Sequence, residues 1–286
     1  MGLFMKTKHI KSANEFLNIA GDKLLSDEAK HGLAFGIAER VADDPHAYGD
    51  NDPWFIIVED AGQICGAALR TPPSSPILSY FCGDIEQVSS SMVKSIHELD
   101  PVIPGAVGNN EIVVPFVEQW CSLYMAKVKR VIAHRLYRLT ELIEPEFSDG
   151  FLRTAVSEDE DVVIPWATAF YREALGDILT DHQCQLYRER LGSGDIYLWD
   201  AKGPVSMAVR TRPTRKGISI GGVFTPPEKR NNGYATSCVA GLCKELLSEY
   251  DFCVLYADLS NPVSNSIYMK MGFREYCDSA NYYFKK

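Results

Sequence analysis

The chain has 286 residues, 46% of them hydrophobic and 23% charged, with a net charge of −9 at neutral pH. That length suits two domains of about 140 residues, each able to bury its own core. The acidic balance argues against a nucleic-acid binder, and no stretch approaches the roughly 18 apolar residues of a membrane span.

The opening stretch MGLFMKTKHIKSANEF has no apolar run of the length a secretory signal needs. Gly2 invites myristoylation, but Lys6 stands where that motif wants Ser or Thr. The eight cysteines are scattered with no C-x-x-C pair, which predicts reduced packing thiols, no metal site and a cytoplasmic protein.

In chain order, the first half predicts helices over 12–42, opened by the capping box Ser12-x-x-Glu15, and a β-hairpin over 55–71. A strand at 77–82, a helix at 86–99, a short strand at 102–107, a helix at 111–126 and a strand at 130–139 follow. The link EPEFSD (144–149), rich in Pro and acid, divides the chain into residues 1–146 and 147–286. The second half predicts a strand at 150–156 and a helix from the box Ser157-x-x-Glu160 to about residue 175. Val163, Trp166, Phe170 and Leu175 form its apolar face, and Pro165 kinks it or resets its start. A helix at 181–191, a hairpin at 197–211, a strand at 218–225 and a helix at 233–248 come next. A strand at 253–259, a helix at 264–271 stopped by Gly272, and two short strands close the chain.

The halves echo each other. IVEDAGQICGAALRT (57–71) and YLWDAKGPVSMAVRT (197–211) align at a shift of 140, matching Asp60-Ala61, Ala68 and Arg70-Thr71 to Asp200-Ala201, Ala208 and Arg210-Thr211. The expected fold is α+β, a mixed and mostly antiparallel sheet flanked by helices, built twice.

One stretch carries more chemistry than the rest: VFTPPEKRNNGYATS, residues 223–237. Val223, Phe224 and Thr225 end a strand that Pro226-Pro227 cannot continue. Asn231, Asn232 and Gly233 then bring the amides of Tyr234, Ala235 and Thr236 to the mouth of a helix. Those amides have no intrahelical acceptor and the helix dipole adds positive charge, so the turn suits an anion. Lys229 and Arg230 offer counter-charge. An ordinary capped turn has the same composition, because Gly and Asn are common at helix starts.

The wider pattern joins Val223-x-Thr225-Pro226 and Arg230-x-x-Gly233-x-Ala235 to Asn261, Ser264, Asn265, Tyr268, Gly272 and Phe273. It resembles the GCN5-related N-acetyltransferase (GNAT) family over roughly residues 150–286. The whole chain is similar to a two-lobed subfamily with a degenerate N-terminal copy. The resemblance implies acetyl-CoA as co-substrate, its pyrophosphate on the 230–236 amides and its thioester oxygen on a backbone N–H of Val223 or Phe224. It places Asn261, with Ser264, along the pantetheine arm, and Tyr268 as the acid that protonates the departing thiolate. A plain turn asparagine and an amphipathic core tyrosine are the corresponding structural readings. For the general base Asp258 is the choice, with Tyr256, Glu173, Asp177 and a water relay as alternatives. His134, His182, Cys238 and Cys243 read as structural.

The resemblance further implies direct transfer to a primary amine of a small molecule or peptide in a ternary complex. The alternatives are another acyl group or acceptor, or a non-catalytic acyl-CoA sensor. In the first half, shifting 230–235 back by 140 gives SSMVKS (90–95) without the motif, and NNEIVVPFVEQW has no tyrosine. That lobe is expected to bind no cofactor.

Overall fold

The computed structural model describes residues 5–176 and 178–285; Gly2, Asp177 and the Leu175 side chain lie outside the described residues. The chain runs β1 (Lys6–Ile10), α1 (Ala13–Leu24), α2 (Glu28–Asp43), β2 (Trp54–Asp60), β3 (Gln63–Arg70), β4 (Ile77–Ser79), α3 (Ile85–Leu99), β5 (Gly105–Asn109), α4 (Asn110–Tyr124) and β6 (Val128–Leu139). It continues β7 (Phe151–Thr154), α5 (Glu160–Phe170), α6 (Asp181–Ser193), β8 (Ile196–Asp200), β9 (Pro204–Thr211), β10 (Gly217–Phe224), α7 (Tyr234–Leu246), β11 (Phe252–Asp258), α8 (Pro262–Lys270) and β12 (Arg274–Phe284). The α+β class and the repeated element order match the sequence reading. From β2 to β6 and from β8 to β12 the succession of strands and helices is the same.

Two compact units result, Met1–His134 with Cys277–Lys286, and Arg135–Tyr276. The first unit's sheet is ordered β1-β2-β3-β4-β5, with residues 277–284 of β12 beside β5. Its pairs are antiparallel except β4–β5. In the second unit the order is β7-β8-β9-β10-β11, with residues 135–139 of β6 beside β11. Its pairs from β7 to β10 are antiparallel and β10–β11 is parallel. The link at 144–149 thus lies inside the second unit, because the last strand of each repeat is counted partly with the other unit.

The two-residue period of the central strands explains how both faces of each sheet are covered. In β2, Phe55 and Ile57 pack with Phe16, Leu24 and Phe35 of α1 and α2, whereas Ile56 and Val58 face Val88, Met92 and Phe116 of α3 and α4. In β8, Tyr197 and Trp199 meet Cys238, Leu242 and Leu246 of α7, while Ile196 and Leu198 meet Val163, Ala167 and Leu191 of α5 and α6. Each fully buried side chain of this size contributes roughly 1.5–3 kcal/mol. Cys65, Cys238, Cys243 and Cys253 are buried among them; the other four thiols are half-buried. No helix among the described residues is long and apolar enough to cross a membrane.

Several local readings are corrected. Ser12 does cap α1, accepting from the Glu15 amide at 3.2 Å. Ser157 does not cap α5. Asp159 stands at the N-cap position of α5 without a side-chain cap bond, and its carboxylate turns back to accept from the Val156 amide at 2.9 Å. The same carboxylate is held by Arg153 at 2.7 and 2.8 Å, a charge-assisted pair. Pro165 lies within α5, which then widens into a single π-type turn over Tyr171–Leu175. The chain ends in one strand, β12, instead of two, and β1 was not anticipated.

Candidate functional site

The site is built where β10 stops behaving as a buried strand. Residues 217–220 are buried, Gly221, Gly222 and Val223 are reached by solvent, and Phe224, Thr225 and Pro226 are buried again. The parallel pairing with β11 runs from Gly217↔Phe252 to Ile220↔Leu255 and, among the described residues, goes no further. On the other edge, the register with β9 shifts between Gly221 and Phe224, and Gly222 sits at φ +58°. A β-bulge of this kind turns backbone groups out of the ladder and re-aims them. The result is a wedge between β10 and β11 beyond Ile220 and Leu255, with residues 221–224 along one wall. Buried Ser206 fixes the end of that wall, donating to the Phe224 carbonyl at 3.2 Å and meeting Thr225 Oγ1 at 2.9 Å.

Beyond the wedge, Pro227–Lys229 make one tight turn, Asn231 takes φ +63°, and Gly233 takes φ +75° as the N-cap of α7. The Asn232 amide group donates to the carbonyls of Lys229 and Arg230 at 3.1 and 2.9 Å, curling the loop onto itself. Gly233 supplies no side-chain cap and the first turn of α7 holds no acidic residue, so nothing from the helix itself covers the amides of Tyr234, Ala235 and Thr236. A second constraint excludes a side chain at 233: a Cβ there would stand 2.6 Å from Ser148 Oγ. Ser148 buttresses the loop, its hydroxyl donating to the Asn232 carbonyl at 2.7 Å and its amide to Ser237 Oγ at 2.8 Å. Arg230 does not extend freely; it pairs with Glu173 on the π turn at 2.6 Å and donates to the Thr225 carbonyl at 2.9 Å.

On the other wall, the turn after β11 is organised by side chains. Asp258 Oδ1 accepts from the Ser260 amide at 2.7 Å, and Asn261 caps α8 by accepting from the Ser264 amide at 3.1 Å. Buried Asn265 spends both ends of its amide. It donates to the Asp258 and Asn261 carbonyls at 2.9 and 2.7 Å and accepts from the Tyr137 hydroxyl at 3.0 Å. Tyr268 stands one turn further along α8, its ring 5.8 Å from Phe273 and 6.4 Å from Tyr137. The side chain is half-buried against the core that holds Tyr137 and Phe273. Burial, with a smaller contribution from Cys243, pushes its pKa up to about 12. It therefore holds its proton at any physiological pH.

Val223, Phe224 and Thr225 thus lie at the end of β10, Arg230 to Gly233 in the loop that follows, Tyr234 to Thr236 in the first turn of α7, Asp258 at the end of β11, and Asn261, Ser264 and Tyr268 at the cap and along α8 of the second unit. Asp258 and Asn261 each have a structural duty there as turn and helix caps. Sequence reasoning missed Ser148 and Ser206, whose signal is only three-dimensional.

The first unit answers the same elements differently. By element, the counterpart of the 225–233 loop is the shorter link 80–84 rather than residues 90–95, which lie inside α3. There Asp84 caps α3, accepting from the Gln87 amide at 3.1 Å, and Glu86 adds a second carboxylate to the first turn. The helix mouth is filled by negative charge instead of being open to it. Seven positions into α4, where Tyr268 stands in α8, is buried Phe116.

This element order, present twice, is that of a GNAT acetyltransferase fold in tandem. Residues 202–284 match the family model described as FR47-like protein, a GNAT-type domain. An acetyltransferase of the GNAT family from Colwellia psychrerythraea is 14% identical with a TM-score of 0.61, covering 98% of this chain and 100% of that one. A tandem GNAT protein from the clavulanic acid biosynthesis pathway is 11% identical with a TM-score of 0.56 and covers 98% of each chain. A GCN5-related N-acetyltransferase from Sphaerobacter thermophilus is 15% identical with a TM-score of 0.59, covering 99% of this chain and 96% of that one. At these identities the likeness is one of fold. No curated protein sequence matches the chain.

Proposed function

We propose that the chain is an acetyl-CoA-dependent N-acetyltransferase that transfers the acetyl group directly to a primary amine of a small molecule or peptide. The observation that carries this reading is the combination, in one unit, of the β10–β11 wedge and the uncapped α7 mouth. A wedge with unpaired backbone accepts an extended amide-bearing arm, and an open helix mouth accepts a diphosphate.

Acetyl-CoA supplies an activated acyl group, and the residues of this chain do the rest. The 233–236 amides and the loop around them hold the diphosphate. Val223 or Phe224 presents a backbone N–H to the thioester oxygen, where negative charge develops. The amine nitrogen bonds to the acyl carbon, the carbon–sulfur bond breaks with its electron pair on sulfur, and Tyr268 donates its proton to that sulfur. The amine's surplus proton leaves to Asp258 or to water; Asp258 already accepts from the Ser260 amide, which favours water. The test is release of CoA from acetyl-CoA in the presence of primary amines, alcohols and thiols, with product masses. Acetylated amine is the expected product. A protein that binds acetyl-CoA but acylates nothing is the sensor of the alternative reading.

A further inference from the structure

The wedge has a second face, made by α5 and α6, and one side chain on it stands out. Tyr187 of α6 is 4% exposed, with its ring among Val163, Ala167, Leu191, Val209 and Phe224. Its hydroxyl reaches the bulge of β10: a Cβ built on Gly222 would stand 3.1 Å from the Tyr187 oxygen. Gly222 belongs to the short stretch of the strand that solvent reaches, so the hydroxyl lies at the floor of the opening. A hydroxyl beside an opening offers a hydrogen bond to what enters. Burial, together with Tyr171, raises its pKa against the opposing effect of Arg190, so it is a neutral phenol with a lone pair to offer.

The surroundings are aromatic. Trp166 packs 6.2 Å from Phe224, and Phe170 meets Tyr171 edge-on at 6.0 Å; all but Phe224 are half-buried. The ionised groups at this rim are already engaged. Glu173 is paired with Arg230, and Arg190 lies over the Tyr187 ring and donates to Thr211. Such a lining takes an apolar body with one polar group at a fixed place. A polyamine or an amino sugar would press its further ammonium or hydroxyl groups against apolar walls and lose their hydration.

We propose that the acceptor is a primary amine carried on an apolar or aromatic body, held on the α5–α6 side of the wedge with its nitrogen donating to the Tyr187 hydroxyl. The proposal rests on the acetyltransferase reading above. Tyr187 is a positioning residue in it: it orients the neutral amine toward the acyl carbon and takes no proton.

The experiment uses the full chain with 2-phenylethylamine, tryptamine, spermidine and glucosamine as acceptors, and the variant Tyr187→Phe, which keeps the ring. The two arylalkylamines should exceed the polar amines in kcat/KM by at least about tenfold. Tyr187→Phe should raise their KM about tenfold, with kcat changed less than about threefold and acetyl-CoA affinity unaltered. A preference for spermidine or glucosamine overturns the proposal. So does an unchanged amine KM in a variant that melts like the parent. Calorimetric binding of 2-phenylethylamine to the CoA-saturated protein reads the same subsite without turnover. Binding that is weakened in Tyr187→Phe while no acetyl transfer occurs would uphold the subsite and sink the acetyltransferase reading. No binding and no transfer would overturn both.

Discussion

Arg230 Nη2 lies 2.6 Å from Glu173 Oε2, while its Nε donates to the Thr225 carbonyl at 2.9 Å. The guanidinium therefore ties the end of β10 to the π turn after α5. Both side chains are more than a third exposed, so the ion pair adds at most about 1 kcal/mol to stability. Its interest lies in competition, because the carboxylate holds the charge that the sequence assigns to the diphosphate.

Glu173→Gln should release that charge. Acetyl-CoA affinity is expected to rise by up to about fivefold at low salt, with the gain shrinking as ionic strength increases and thermal stability almost unaltered. Calorimetry at two salt concentrations checks this; weaker binding in the variant would show that the pair organises the loop instead of competing for the ligand.

A carboxylate placed in the cradle tests the placement of the diphosphate. Gly233 is a poor choice, since any side chain there meets Ser148 and an unfavourable φ. Ala235 in the first turn of α7 is a better one, because an acidic residue near a helix N-terminus is tolerated or stabilising. Ala235→Asp should keep or slightly raise the melting temperature and weaken acetyl-CoA binding at least about tenfold. Undiminished affinity in the folded variant would remove the ligand from this loop.

Tyr268→Phe deletes the hydroxyl and keeps the ring packed against Phe273 and Tyr137. General-acid contributions are typically ~10²–10⁴-fold, so kcat should drop by that order while acetyl-CoA affinity holds. Because burial pushes this tyrosine up to about 12, its deprotonation should not appear in the pH–rate profile below pH 10. Turnover within a few-fold of the parent, with chemistry rate-limiting, would return Tyr268 to a packing role.

His31 gives the first unit a pH dependence of its own. Its Nδ1 accepts from the Tyr80 amide at 3.3 Å and lies 2.8 Å from Ser79 Oγ, and burial lowers its pKa to about 4. The folded value lies below the ordinary 6.5, so this contribution is complete above pH 6.5 and is lost as pH falls through 4. The loss amounts to about 3 kcal/mol at most. Urea midpoints between pH 7 and pH 4 should fall less steeply in His31→Gln. An identical slope in the variant would mean that other groups govern acid sensitivity.

Much of this was legible from sequence, for local physical reasons. The hairpins follow from alternation around Ala61-Gly62 and Lys202-Gly203, and the helix start at Gly233 follows from glycine's access to positive φ. The exchange of β6 and β12 was not legible, because strand partners far apart in sequence leave no periodic trace. Ser157 falls in the short turn before α5, so the helix starts at Glu160 instead of at its serine, and Asp159 is taken up by Arg153 and the Val156 amide. Among site residues, the chain pattern marks Gly233 and Tyr268. Ser148, Ser206 and Tyr187 are ordinary residues until the fold sets them against the loop and the bulge.

The central claim, that acetyl-CoA is held by the wedge and helix mouth of the second unit and by no counterpart in the first, is tested most directly by calorimetric titration of the full chain with acetyl-CoA. One equivalent should bind, and Ala235→Asp should abolish or sharply weaken that single event. Two equivalents, or a single event that Ala235→Asp leaves untouched, would contradict the account.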